Sequence, residues 1–241
     1  MSLNKRLFPV AAPAASDGYT DNLTSWIQVG TGKSWEGSGT SMTDLSTNTN
    51  NFTLQGGYSY TSGNNYVSLT QDSGSMVSSV NLTRYSNYSI LCWYNISSSS
   101  GYNVIFGGNA GSSNYNYITF GHVTSTYSNE SVGTYTDYGG VDYDYGPFNG
   151  HYAYTDGTWR MFVLTNAAST DLRYYMNGGS SSIFNSSGSF WSTPSLSIGR
   201  YNSAVVNHDG IALGQIRTYS VVLTAQQVID TYNATKGLYG L

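Results

Sequence analysis

The sequence predicts an all-β protein: two antiparallel sheets packed as a sandwich, with an extended N-terminal arm and one short C-terminal helix. Three observations lead there. The 241 residues include 28 Gly and 23 Tyr, and Tyr, Thr, Val and Ile together outnumber the strong helix formers, with only two Glu and three Lys. Short apolar runs recur at a spacing of roughly ten residues between Gly, Asn and Ser clusters, as in sandwiches. Only one segment, near the C-terminus, carries a helical period.

Taken in order, residues 1–20 read as the arm. They contain Ala and Pro and show no period, so they cannot build a core of their own. Lys5 and Arg6 followed by Leu7–Ser16 mimic a secretory leader, but Pro9 and Pro13 interrupt the apolar stretch, and the segment is read as retained. Residues 21–241 form one domain. Its first thirty residues are polar and carry Trp26 and Trp35. Strands are expected at 58–61, 66–70, 76–80, 88–95, 102–106, 115–122, 131–136, 159–165, 172–176, 196–199 and 211–219. Asn177-Gly178 suits a tight hairpin turn. Thr224 is a good helix N-cap and Gln227 completes a capping box. Val228, Ile229 and Tyr232 form the apolar face and Gly237 the stop.

Composition excludes several classes. Only 9% of residues are charged, against roughly 25% in an ordinary domain, so hydroxyls and amides keep the surface wet. An aromatic content of 15% argues against disorder. No run approaches the ~20 apolar residues of a membrane span. A net charge of −4 gives no basic face for nucleic acid. The single cysteine, Cys92, lies in the apolar run Ser89–Trp93 and reads as a buried small side chain. Eight Asn-x-Ser/Thr triplets are close to what so much Ser, Thr and Asn yields by chance.

The second half has a recognisable order of motifs: Asp156-Gly157-Thr158-Trp159, then Arg160–Val163, Leu172–Gly178, Leu196–Arg200, Gly210–Tyr219, and Leu223-Thr224 opening the helix. This resembles the laminin G-like domains of the concanavalin A-like lectin/glucanase superfamily. Ser89–Tyr94 resembles the family's core strand. Asp44-Leu45-Ser46 and Asn51–Leu54 are similar to the opening of such domains in phage proteins. The resemblance covers residues 40–237 and implies a jelly roll. It also implies that Asp156-Gly157 turns the chain and that Trp159 then enters the core. Two positions depart from the pattern: Arg160 stands where the family usually has His, and Ala212-Leu213 replace an acidic pair. Met1–Leu7 is similar to the start of some structural proteins of marine bacteriophages.

Little catalytic chemistry is legible. Retaining glucanases need two carboxylates about 5–5.5 Å apart, and their active strand resembles Glu-x-Asp-x-x-Glu. Glu36 and Glu130 are the only glutamates here, and neither lies in such a motif. Gly32-Lys33-Ser34 looks like the end of a phosphate loop, but Ile27 stands where its first glycine is required. His122, His151 and His208 are far apart. Asp142–Pro147 reads as a loop. Asp137, Asp142 and Asp144 could offer oxygens to calcium, although an acidic, solvated loop is the favoured reading and no cofactor is expected. The Tyr-rich stretch 135–154 could be a glycan platform, with Tyr138, Asp142, Tyr143, Asp144 and Tyr145 as candidates.

The expected function, through the resemblance, is a non-enzymatic bacteriophage virion protein such as a capsid decoration or fibre protein. Its lectin-like domain would face outward, and Lys5, Arg6, Leu7 and Phe8 of the arm would anchor it to capsid or other virion proteins. Host-surface glycan is the other expected partner, and a homotrimer is expected from the resemblance alone. The alternatives are a secreted carbohydrate-binding module and, third, a glycoside hydrolase.

Overall fold

The computed structural model describes residues 17–30, 32–97, 103–108, 114–120, 132–138, 141–145, 156–167, 171–179, 182–184, 195–200 and 210–241. The strands among them are β1 (Leu23–Gln28), β2 (Ser41–Met42), β3 (Phe52–Gln55), β4 (Tyr58–Ser59), β5 (Val67–Leu69), β6 (Ser75–Ser78), β7 (Asn87–Asn95) and β8 (Asn103–Gly108). They continue with β9 (Asn114–Phe120), β10 (Val132–Tyr138), β11 (Val141–Tyr145), β12 (Arg160–Ala167), β13 (Asp171–Met176), β14 (Ser182–Phe184), β15 (Leu196–Ile198) and β16 (Ile211–Tyr219). One helix, α1 (Ala225–Thr235), follows.

The strands form two antiparallel sheets. Sheet one runs β14-β13-β12-β7-β16-β5-β4; sheet two runs β11-β10-β9-β8-β15-β6-β3-β2. On one side, β16 pairs with β5 through Ile211–Leu213 and with β1 through Gln215–Tyr219, so a single long strand seats two short ones. Its ladder to β7 shifts register between Leu213 and Ile216. The expected jelly-roll sandwich is what forms.

Strand alternation explains the packing. In β7, Ile90, Cys92 and Tyr94 point into the sandwich with Phe52, Phe106, Phe162 and Ile198. Leu91 and Trp93 point the other way, onto a second cluster with Met161, Val163, Tyr219 and Val228. β7 is therefore buried on both faces, which is why its sequence is continuously apolar rather than alternating. Each such side chain contributes about 1.5–3 kcal/mol. Complete burial pushes the Cys92 thiol pKa far up, as the expected inert core cysteine requires.

The second cluster exists because α1 lies on the outer face of sheet one. The Thr224 side chain accepts from the Gln227 backbone N–H, and the capping box forms as read. The buried face is Val228, Thr231 and Thr235. Ile229, expected on that face, is exposed, because it lies about 100° round the helix from Val228. Gly237 does not stop the helix: residues Lys236–Tyr239 continue as a 3-10 turn, and Gly240 ends it at φ 76°.

Five strands were not expected: β1, β2, β3, β11 and β14. Three of these are short. β1 escapes notice because its polar residues are buried and matched by partners on β16. The Thr24 and Thr218 hydroxyls lie 2.7 Å apart, and Gln215 Nε2 donates to Gln28 Oε1 at 3.2 Å. β11 corrects the loop expected at 142–147. Val-Asp-Tyr-Asp-Tyr has strand period, and the two glycines before it are a hairpin signal.

Candidate functional site

A cleft of about 330 Å³ opens on the outer face of sheet one, beside the helix-covered cluster. Its floor is a row across three strands: Ser68 of β5 pairs with Ala212 of β16, which pairs with Asn95 of β7. The flanking residues Val67, Leu69, Tyr94, Ile96, Ile211 and Leu213 belong to the sandwich core. Alternation therefore turns Ser68, Ala212 and Asn95 outward. Ser97 and Gly210 complete the rim.

The wall is aromatic. Trp159 and Tyr66 face each other with ring centroids 5.2 Å apart at 55°. Trp159 is also backed by Tyr239 at 4.7 Å, and Tyr239 by Trp93 at 4.5 Å. The resemblance implied that Trp159 enters the core. Instead it shares strand parity with Met161 and Val163, both in the outer cluster, and stays half-buried at the cleft. The turn before it is pinned to the end of β7: Gly157 N donates to Ile96 O at 2.8 Å, and Asn95 Nδ2 donates to Gly157 O. Gly157 is at φ 78°, where a side chain would be strained.

Among the described residues, the cleft lining has no charged side chain. The nearest ion pair in sequence, Arg160 Nη2 to Asp156 Oδ2 at 3.0 Å, lies on the same turn. Burial opposes the Asp156 charge, but hydrogen bonds from the Thr158 backbone and hydroxyl, with the Arg160 charge, outweigh it and hold the carboxyl below its usual range.

The residues expected from sequence fall elsewhere. Lys5, Arg6, Leu7 and Phe8 lie outside the described residues, as do Glu130 and the three histidines. Tyr138, Asp142, Tyr143, Asp144 and Tyr145 lie on the β10–β11 ribbon, which ends sheet two. Its register sets Asp142 opposite Asp137, Asp144 opposite Tyr135, Tyr143 opposite Thr136 and Tyr138 opposite Val141. By strand alternation, positions 137, 142 and 144 share one face, and 138, 143 and 145 the other. The five glycan candidates are thus divided between two faces. Where side chains are described, no three His, Cys, Asp or Glu gather as metal ligands. Glu36 is exposed and accepts from Gly32 N–H. Ser34, of the would-be phosphate loop, instead accepts from Gln28 N–H at 3.0 Å.

Sequence reasoning singled out Trp159 but missed Tyr66, Ser68 and Asn95. Nothing in their local sequence sets them apart, because strand pairing alone brings them together.

Comparisons bear on the fold. A family model described as the concanavalin A-like lectin/glucanases superfamily matches residues 61–229. No curated protein matches the chain. Among solved structures, the chain is similar to one from botulinum neurotoxin type C, whose cell entry depends upon interaction with two ganglioside molecules. The TM-score is 0.63 at 11% identity, covering 89% of this chain and 51% of that one. It is similar to the binding domain of Paraclostridial Mosquitocidal Protein 1, with TM-score 0.62, 17% identity, and 91% and 55% covered. The chain thus spans about half the length of these toxin chains. Domain 4 of AbnA, an extracellular arabinanase from Geobacillus stearothermophilus, in complex with arabinotriose, matches at TM-score 0.61 and 15% identity, with 88% and 98% covered. The family match over more than half the chain, on a two-sheet antiparallel sandwich, means that this protein belongs to the concanavalin A-like lectin/glucanase superfamily.

Proposed function

We propose that the protein is a non-catalytic, glycan-binding module displayed on a bacteriophage virion surface and anchored through its N-terminal arm. The observation that carries the glycan part is the cleft: two aromatic rings beside a floor of hydroxyl and amide groups. Aromatic faces attract the polarised C–H groups of a pyranose, and Ser and Asn satisfy its hydroxyls. A volume of about 330 Å³ suits one or two sugar units. The fold family and the toxin and arabinanase neighbours agree with binding as the role.

The virion part rests on the low-charge composition and the phage-like start of the chain. Its partners would be capsid or other virion proteins contacting Lys5, Arg6, Leu7 and Phe8, in a homotrimer. A secreted carbohydrate-binding module is the second reading, favoured by the near full-length match to the arabinanase domain. The Tyr138–Tyr145 ribbon is a further glycan contact, its two faces serving different subsites. No cofactor belongs to this function; a thermal shift on adding calcium, lost in Asp142→Asn, would reverse that statement.

The deciding experiment is a glycan array probed with the purified protein, alongside Trp159→Ala and the pair Tyr143→Ala with Tyr145→Ala. Binding weakened by either variant, without release of reducing sugar from β-glucan, is expected. Reproducible hydrolysis abolished by Glu36→Gln or Glu130→Gln would overturn the non-catalytic assignment.

A further inference from the structure

Resting on that reading, we infer that the Trp159 cleft selects neutral saccharides and rejects sialylated, uronic or sulfated ones. A bound carboxylate or sulfate gives up water, and unless a cation or several N–H groups replace it the loss is large. Among the described residues, the lining supplies no cation. Arg160 follows Trp159 in sequence, but β12 alternation sends it to the opposite face, beside Tyr94, and Asp156 holds its guanidinium at 3.0 Å. Among the described residues, the polar side chains of the lining are Ser68, Asn95 and Ser97, with the Tyr66 hydroxyl and the Trp159 indole N–H on the aromatic wall. Hydroxyls donate and accept alike, as sugar hydroxyls do. Asn95 Nδ2 gives one of its two N–H groups to Gly157 O, which leaves this amide one donor and its Oδ1 acceptor, a pairing that suits a sugar O–H. The Trp159 ring is fixed from behind by Tyr239, so the stacking surface is set before ligand arrives.

The test is calorimetric titration and array binding with two matched probe sets: neutral β-linked gluco- and galacto-oligosaccharides, and 3′-sialyllactose with oligogalacturonate. Neutral probes should bind with affinity changing less than twofold between 50 and 500 mM salt, since no charge pair is screened. Trp159→Ala should weaken them at least tenfold. Ser97→Tyr, at an exposed position, fills the mouth and should do the same without disturbing the sheet. Ala212→Lys should lower neutral binding and raise anionic binding. Anionic probes that bind the native protein and are lost in Ser97→Tyr would overturn neutral selectivity while leaving the glycan-binding function intact. If neither set binds, the function itself fails and the selectivity with it.

Discussion

The Trp93 indole N–H donates to the Thr235 hydroxyl at 3.0 Å, joining the middle strand of sheet one to the last turn of α1 across 142 positions of sequence. The Thr235 hydroxyl in turn donates to Thr231 O at 2.7 Å, so one hydroxyl satisfies the indole and closes a helical turn. Beneath the helix, Trp93 stacks on Tyr239 at 4.5 Å and on Tyr232 at 5.7 Å. The same aromatic column ends at Trp159, so the seat of the helix and the wall of the cleft are one structure.

Thr235→Val should therefore cost about 1–3 kcal/mol, because it keeps the shape and leaves a buried indole N–H without an acceptor. Chemical denaturation checks this. Thr235→Ser, which keeps the hydroxyl, should recover most of the loss.

Gly214 should be intolerant of any side chain. A Cβ there would meet the Tyr239 ring and hydroxyl. Gly214→Ala should destabilise by about 1–3 kcal/mol through overpacking, and it should weaken sugar binding by displacing Tyr239 from behind Trp159. Combined with Tyr239→Ala, the two losses should add to less than their sum, since each relieves the other's cause. Additive losses would show that the two residues do not contact.

Asp44 organises the first loop. Its carboxylate accepts at 2.8 Å from the backbone N–H groups of Trp26, Ser46 and Asn50 and from the Ser46 hydroxyl. Asp44→Ala should cost about 2–4 kcal/mol, since several half-buried donors lose one acceptor together. Asp44→Asn should rescue only part, because its amide N–H₂ would face donors. A melting temperature unchanged in both would show the loop is held otherwise.

Two truncations should behave differently. Gly18 lies 2.8 Å from Thr231 Cα at its Cβ position, and Tyr19 N donates to Thr231 Oγ1 at 3.2 Å. Tyr19 O accepts from Arg217 Nη1 and from the Tyr219 hydroxyl, both at 3.1 Å. Arg217 is fully buried over the Trp26 ring, 4.6 Å from its centroid, and its Nε and Nη2 have no partner among the described residues. On the proposed anchoring role, removing residues 2–16 should leave the melting temperature unchanged and abolish incorporation into particles. Removing 2–20 should also destabilise the domain by about 2–4 kcal/mol, because Arg217 loses its acceptor while still buried. A 2–16 truncation that joins virions at normal occupancy would move the anchor elsewhere.

The all-β class, the sandwich and the capped helix were legible because each is written in local signals. Turn clusters recur between apolar runs, and Thr224 with Gln227 marks a helix start wherever the helix lies. Strand alternation in residues 160–164 similarly determined that neighbours would face opposite ways. Which way was decided by the tertiary structure. Trp159, expected inward, turns out because α1 and Tyr239 give that face an apolar partner, and Ile229, apolar by composition, faces water because the sheet meets α1 through Val228. The polar strand β1 was invisible because Thr24 and Gln28 are buried against polar partners nearly two hundred residues away, and the buried Ser25 hydroxyl donates to Asn50 O. The cleft is of the same kind. Ser68, Asn95 and Ala212 are ordinary residues in sequence, and they become one floor only when β5, β16 and β7 pair in register, because hydrogen-bonded strands bring distant positions within about 5 Å.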